Sequence, residues 1–218
     1  MALSKVDYNS LNVTPVASKA LKWNSTPNGF ETGDVGGSLV LLETQTASSS
    51  STISFTSNID STYSEYVFKF INIHPATETS FTFQADTGTN TNYNQTIQST
   101  YFRATHREDA GEADLYYNQS NDQANGTAFQ TLVESPQIGA NNDENLNGYL
   151  HIFNPSSSVF TKHFIARIST QNDDGQPGYV MQVFTAGYFN TATALTRFQF
   201  KMGSGNIDAG DICLYGIS

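Results

Sequence analysis

The residues of this chain that could do chemistry do not form a recognisable catalytic arrangement. Ser204 stands between Gly203 and Gly205, which is part of the pattern of a hydrolase nucleophile turn. That turn works only between a strand and a helix, and no helix is predicted here. Glycines around a small polar residue are typical of a tight turn between two strands. The segment therefore predicts a turn and offers no activated serine.

The four histidines do not have the spacing of a zinc site. They are His74, His106, His151 and His163, and each lies in a different segment. Structural zinc sites usually take two ligands that are only a few residues apart. His151 and His163 could meet across neighbouring strands, but we expect hydrogen-bonded side chains there rather than a ligand pair.

Three polar loops collect the hard oxygen ligands that calcium prefers. They are residues 86–90, 141–144 and 172–175. None has the twelve-residue ligand spacing of a helix–loop–helix calcium site. Asn and Asp also populate loops simply because they tolerate turn geometry. The sequence therefore predicts no cofactor, with Ca²⁺ in one of these loops as the alternative.

The carboxylates are not arranged as an obvious catalytic pair. Glycoside hydrolysis needs two carboxylates that face each other across a cleft. The acidic residues outside the loops, such as Glu65, Glu78 and Glu134, include no pair marked out by spacing. No glycine-rich phosphate loop precedes a helix either. We therefore expect a protein that is not an enzyme.

Composition and charge exclude several classes of function. Charged residues are 14% of the chain, against an average of about 25%. The net charge of −10 argues against nucleic-acid binding, because phosphate contacts need Lys and Arg. No segment approaches the roughly 18 apolar residues of a membrane span, so no membrane insertion is expected. Residues 1–7 do not resemble a secretory signal, and the single Cys213 predicts a buried thiol.

Residues 1–37 predict an extended N-terminal arm. They show no sustained alternation of apolar and polar residues, and proline and glycine interrupt them. They nevertheless carry more large apolar side chains than a solvated tail needs. The candidate assembly residues are Leu11, Val13, Val16, Leu21, Trp23 and Phe30. The arm either folds back along its own domain or docks on another subunit, and we favour docking for at least part of it.

Residues 38–218 predict one antiparallel β-sandwich of about eight to ten strands. The period of the apolar residues becomes two, and short turn segments interrupt the pattern. Residues 63–74 form the clearest strand, with Tyr66, Phe68 and Phe70 on one face and residues 67, 69, 71 and 73 on the other. Residues 39–42 predict a short buried strand, and residues 108–117 are the only candidate helix. The class is therefore all-β.

Several tyrosines and one acid lie in predicted polar loops. Tyr93, Tyr116 and Tyr117 are candidates for a binding surface, and Asp86 opens one of these loops. An exposed tyrosine beside amide side chains suits a subunit interface or the face of a sugar. The alternative is that each tyrosine only covers the edge of the core.

Several segments of the sequence resemble segments of structural proteins of marine tailed bacteriophages. The resemblance covers most of the chain, and its motifs are structural rather than catalytic. It rests on residues 19–24, 36–39, 55–63, 66–75, 150–157, 200–210 and 214–217. The polar middle, residues 86–145, departs most from the pattern.

The resemblance implies a jelly-roll-like virion protein, assembled in the host cytoplasm as a homotrimer with other virion proteins as partners. It leaves a capsid decoration or cement protein and a head- or tail-fibre component as nearly equal interpretations. The second hypothesis is a carbohydrate-binding module or adhesin that recognises a host surface glycan. A hydrolase acting on host polysaccharide is the third.

Overall fold

The computed structural model describes residues 13–14, 16, 19–24, 26, 29–33, 39–172 and 178–217. The chain forms two compact units, Met1–Ser38 and Leu39–Ser218. In the first unit, β1 (Ala20–Trp23) and β2 (Phe30–Gly33) form an antiparallel hairpin. The arm residues in this segment are therefore folded as a small sheet.

The second unit is built from thirteen further strands and, among its described residues, contains no α-helix. A single 3-10 turn lies at Gln119–Asn121. The strands are β3 Leu39–Thr46, β4 Ile53–Phe55, β5 Glu65–Pro75, β6 Thr79–Thr87, β7 Ile97–Arg107, β8 Ala113–Tyr117, β9 Ala124–Gly126, β10 Gln130–Ile138, β11 Leu146–Phe153, β12 Lys162–Asn172, β13 Tyr179–Phe189, β14 Leu195–Met202 and β15 Ile207–Ile217.

These strands form two antiparallel sheets. The larger sheet has the order β3-β15-β5-β11-β12-β13-β7-β8, and β9 also pairs with β7. The smaller sheet has the order β10-β6-β14-β4. Rings from the two sheets touch, for example Phe83 and Phe164 with centroids 5.2 Å apart. The all-β, sandwich-like fold predicted from the sequence is confirmed.

The core lies between the two sheets and is dominated by phenylalanine. Phe200 of β14 is fully buried and lies within ring-contact distance of five other rings. Strand β5 supplies Phe68 and Phe70 to this cluster, as its alternating sequence predicts. Because aromatic pairs add stabilisation beyond the area they bury, this cluster is where the fold is most sensitive to truncation.

A β-bulge changes which residues of β5 reach the core. Asn72 has a φ of 51°, and the pairing of β5 with β15 shifts register opposite Gly210, whose φ is 107°. The extra residue turns Ile73 inward, where it is fully buried, and leaves Ile71 exposed. The prediction that Ile73 shares a face with Ile71 is therefore wrong.

Two further segments differ from their predicted structure. Residues 39–42 belong to an eight-residue edge strand, β3, which pairs only with β15, so Leu39 and Leu41 are exposed rather than buried. The only candidate helix, residues 108–117, forms the turn of the β7–β8 hairpin and strand β8. Cys213 lies in β15 and is buried, as predicted.

Candidate binding surfaces

The N-terminal hairpin has one apolar face and one charged face. Trp23 pairs with Phe30 across the hairpin, and their rings stack with centroids 4.4 Å apart. Leu21 lies on the same face, because it is two residues from Trp23. On the opposite face, Lys22 and Glu31 form an ion pair of 3.4 Å. The hairpin is therefore amphipathic.

The apolar face of this hairpin is accessible. Trp23 is 62% exposed, and Leu21 and Phe30 are also exposed. Val16 is exposed without belonging to a strand, Val13 is half-buried, and Leu11 lies outside the described residues. A two-stranded hairpin is only marginally stable by itself, so a stacked pair of exposed rings is a surface suited to packing against another chain.

Asp86 and Tyr93 are not surface residues. Asp86 is at the end of β6 and 1% exposed, and Tyr93 is 5% exposed. The Asp86 carboxylate accepts hydrogen bonds from the backbone N–H groups of Thr87 and Tyr93, each at 2.8 Å, and from Gln95 Nε2 at 3.1 Å. The prediction that these two residues form a surface-loop binding site is wrong, because the carboxylate organises the loop from inside.

Tyr116 and Tyr117 are exposed, but they lie on a strand rather than in a loop. Both belong to β8, the edge strand that pairs with β7. The Arg103 guanidinium lies 5.5 Å from the ring centroid of Tyr116. The hydroxyl of Tyr117 donates to Asp122, and this hydrogen bond raises the pKa of the tyrosine. The structure therefore places these two predicted residues at the surface and separates them from the other pair.

The outer face of the nine-stranded sheet carries many of the exposed apolar side chains among the described residues. Strand registers align Tyr149, Arg167, Phe184, Phe102 and Tyr117 in one row across five adjacent strands. The rows on either side add aliphatic side chains. Those that are exposed include Ile71, Leu115 and Ile165, and Val180 lies one row farther out. Exposed aromatic and aliphatic side chains gathered on one sheet face are more typical of an interface than of a solvated face.

Two rings of this row are stacked on each other. Phe102 and Phe184 lie 4.9 Å apart with planes only 9° from parallel. The Arg167 guanidinium lies 5.3 Å from the Phe184 centroid, and its Nη2 donates to Gln182 at 2.8 Å. Because Phe102 and Phe184 face each other, each has one ring face covered by the other. This stacked pair therefore suits packing against a protein better than stacking on sugar rings.

A polar pocket of about 290 Å³ lies between β7 and β10. An ion pair lies at its wall, with 2.9 Å between Arg103 Nε and Glu134 Oε1. Asn121 Nδ2 also donates to Glu134, at 2.6 Å. Burial and the nearby Glu134 raise the pKa of Tyr101, whose hydroxyl accepts from the Glu134 backbone N–H at 3.3 Å. These contacts bind the carboxylate to its neighbours, so Glu134 is held as a structural group.

A buried cation lies at the start of β12. Lys162 is fully buried, and its Nζ donates to the carbonyl oxygen of Thr191 at 3.0 Å. Burial lowers the pKa of this lysine. The contact ties β12 to the segment before β14.

Two of the three loops with possible calcium ligands are held by their own hydrogen bonds. Glu144 is buried and its Oε2 accepts from the backbone N–H of Asn141 at 2.7 Å, which closes the loop of residues 141–144. In the loop of residues 86–90, the Asp86 carboxylate accepts hydrogen bonds from Thr87, Tyr93 and Gln95. Of the third loop, residues 173–175 lie outside the part of the chain that the structure describes. Among the described residues, no group of three or more His, Cys, Asp or Glu side chains could hold a metal ion.

Sequence reasoning missed the row on the large sheet because the row exists only through strand register. Its members are far apart in the chain and come from segments whose sequence predicts half-buried strands or polar loops. The signal that could have revealed the row is the set of residues that alternate with the buried ones along each strand. On β12 these are His163, Ile165 and Arg167, which all face outward.

No family model, curated protein or solved structure matches this chain. Within the ranges that the structure describes, no helix has the length and apolar character needed to cross a membrane.

Proposed function

We propose that this chain is a non-enzymatic structural protein on the exterior of a bacteriophage particle, anchored to other virion proteins by its N-terminal unit. The observation that carries the proposal is the exposed apolar face of the β1–β2 hairpin, formed by Leu21, Trp23 and Phe30. Stacked aromatic side chains of this kind are favoured anchors at protein interfaces. The sandwich, which we propose to be jelly-roll-like, would then be held outward.

Both interpretations of its position on the particle use this anchor. A decoration or cement protein would clamp capsid subunits with the hairpin and one face of the sandwich. A head- or tail-fibre component would anchor through the hairpin and direct the sandwich away from the particle. The composition supports either role, because a low-charge acidic surface limits nonspecific adhesion to nucleic acid.

The anchor is tested by reattachment of recombinant full-length protein to particles that lack it. Trp23→Ala removes the larger ring of the stacked pair, and we expect at least a tenfold loss of particle-bound protein, since aromatic anchors contribute about 2 kcal/mol or more to an interface. Val180→Ala is the matched control, because it truncates an exposed apolar side chain of the sandwich. Equal binding of both variants and the unmodified protein would show that the hairpin is not the anchor.

A second candidate function, glycan recognition, is favoured by one observation. Tyr149 is exposed on the outer face, next to His151 on the same strand and Arg167 on the neighbouring strand. Aromatic and polar groups in this combination are used to bind sugars. A glycan array probed with the full chain and with Tyr149→Ala tests it: signals lost in the variant would support recognition, and no signal at high protein concentration would exclude it.

A further inference from the structure

Strand β8 ends the strand order of the large sheet, and among the described residues its recorded pairing is with β7. The N–H of Arg107 donates to the carbonyl of Glu112 at 2.9 Å, and the N–H of Asn118 donates to the carbonyl of Tyr101 at 3.2 Å. In an antiparallel ladder, bonded and non-bonded pairs alternate. The bonded pairs between these two ends are therefore 105 with 114 and 103 with 116.

It follows that alternate residues of β8 direct their backbone away from β7. Ala113, Leu115 and Tyr117 each direct an N–H and a C=O toward the open edge, where the sheet order ends. All five side chains of β8 are exposed, and Leu115 is 72% exposed. An exposed apolar edge strand of this kind is a template for pairing with another strand. Natural sheets usually protect such edges with charged residues, especially Lys, or with Pro; β8 has no Lys or Pro, and its one charged residue is Asp114.

We propose that β8 pairs antiparallel with β8 of a second copy of this chain, about a twofold axis at Leu115. In this register Leu115 faces Leu115, Ala113 faces Tyr117, and Asp114 faces Tyr116. All three outward-directed residues of each strand then exchange hydrogen bonds with the other copy. The large sheets of the two copies join into one continuous sheet.

The side chains support this register and this occupant. A large residue lies opposite a small one at Ala113 and Tyr117, and two apolar side chains meet at Leu115. Each Asp114 carboxylate lies opposite a tyrosine hydroxyl that can donate to it. Cross-strand pairs of these kinds stabilise sheets, whereas like charges directly opposite destabilise them.

Neighbouring registers are less favourable. A slip of two residues in one direction places Asp114 opposite Asp114, so that two carboxylates meet. A slip in the other direction places Tyr116 opposite Tyr116, and both slips leave one outward-directed residue of each strand without a partner. The sequence 113–117 is therefore self-complementary in one register, which is what a twofold contact requires.

Disulfide trapping tests the register directly. In a hydrogen-bonded antiparallel pair the facing Cα atoms are about 5.5 Å apart, which is within disulfide reach. We expect Leu115→Cys to form a covalent dimer under mild oxidation. Ala113→Cys and Val180→Cys are the controls: the two copies of residue 113 would lie about 14 Å apart along the strands, beyond disulfide reach. Cross-linking of Ala113→Cys but not of Leu115→Cys would overturn the register.

Solution mass tests the pairing without cysteine chemistry. We expect light scattering of the full chain to give twice the 23.8 kDa mass of one copy. Leu115→Lys places like charges opposite each other and should give the mass of one copy, with an unchanged circular dichroism spectrum. Val180→Lys, on the same face but away from the edge, should remain dimeric. A monomeric wild-type chain, or a trimer whose mass Leu115→Lys does not change, would overturn the proposal.

Discussion

Truncation of Phe200 to alanine should be among the most destabilising single changes in the sandwich. Its ring is fully buried at the centre of the core. The centroids of five other rings lie between 5.0 and 6.3 Å from its own; they belong to Phe55, Phe68, Phe70, Phe81 and Phe83. A buried Phe→Ala change costs about 3–5 kcal/mol of unfolding free energy. We expect the upper half of that range, because several aromatic pairs are lost together.

Phe102→Ala is the matched control, since it removes the same atoms from the outer face of the large sheet, away from the core. Phe102 is exposed on one side, and its main ring contact is the stack with Phe184. One aromatic pair is worth about 1 kcal/mol, so the control should cost roughly that amount. In a unit of this size each kcal/mol lowers the melting temperature by about 2–4 °C.

Urea denaturation and thermal unfolding of the two variants measure the difference. We expect the melting temperature to fall by roughly 8–20 °C for Phe200→Ala and by about 2–4 °C for Phe102→Ala. Equal losses in the two variants, or a larger loss for Phe102→Ala, would show that the assignment of inner and outer faces is wrong.

Three further changes test local features. Gly210→Ala should lower the free energy of unfolding measured in urea by about 2–4 kcal/mol, because the residue has a φ of 107° and an added Cβ would clash with the Asn72 carbonyl oxygen. The control is Gly88→Ala, where open space surrounds the added Cβ, and an equal or larger loss of stability in that control would contradict the prediction. Asp86→Ala should cost about 1–3 kcal/mol, since it leaves the Tyr93 N–H buried without its acceptor, and faster amide exchange of that group would identify the cause. Burial lowers the pKa of Lys162 in the folded state, so the unfolded chain binds more protons at alkaline pH. The free energy of unfolding of the wild type, relative to that of Lys162→Met, should therefore rise between pH 7 and 10. A difference between the two proteins that does not change with pH would contradict this prediction.

The alternating segments of the sequence predicted the sandwich well. Strand β5 carries aromatic residues at every second position, and the structure buries Tyr66, Phe68 and Phe70 as expected. The prediction fails at Ile73, because the bulge at Asn72 depends on Gly210 in the facing strand. A contact between residues so far apart in the chain leaves no local pattern in either segment.

The candidate surfaces were harder to predict. Polar loop residues are usually exposed, but Asp86 is buried because its carboxylate satisfies backbone N–H groups of the loop it begins. Conversely, Phe102 and Phe184 look like core residues, and only strand register shows that they face outward. The apolar residues of the arm, among them Trp23 and Phe30, are predicted from the sequence as candidate assembly residues. Their stacking depends on a hairpin that the irregular pattern of residues 1–37 does not predict.

The proposal that this chain is a structural protein on the exterior of a bacteriophage particle is tested most directly by immunogold electron microscopy of intact particles. Antibody raised against the recombinant full chain should label the particle surface. Label spread over the head would identify a decoration protein, and label confined to the tail or fibres would identify a fibre component. Unlabelled particles, in preparations where the same antibody detects the protein in the infected-cell lysate, would contradict the account.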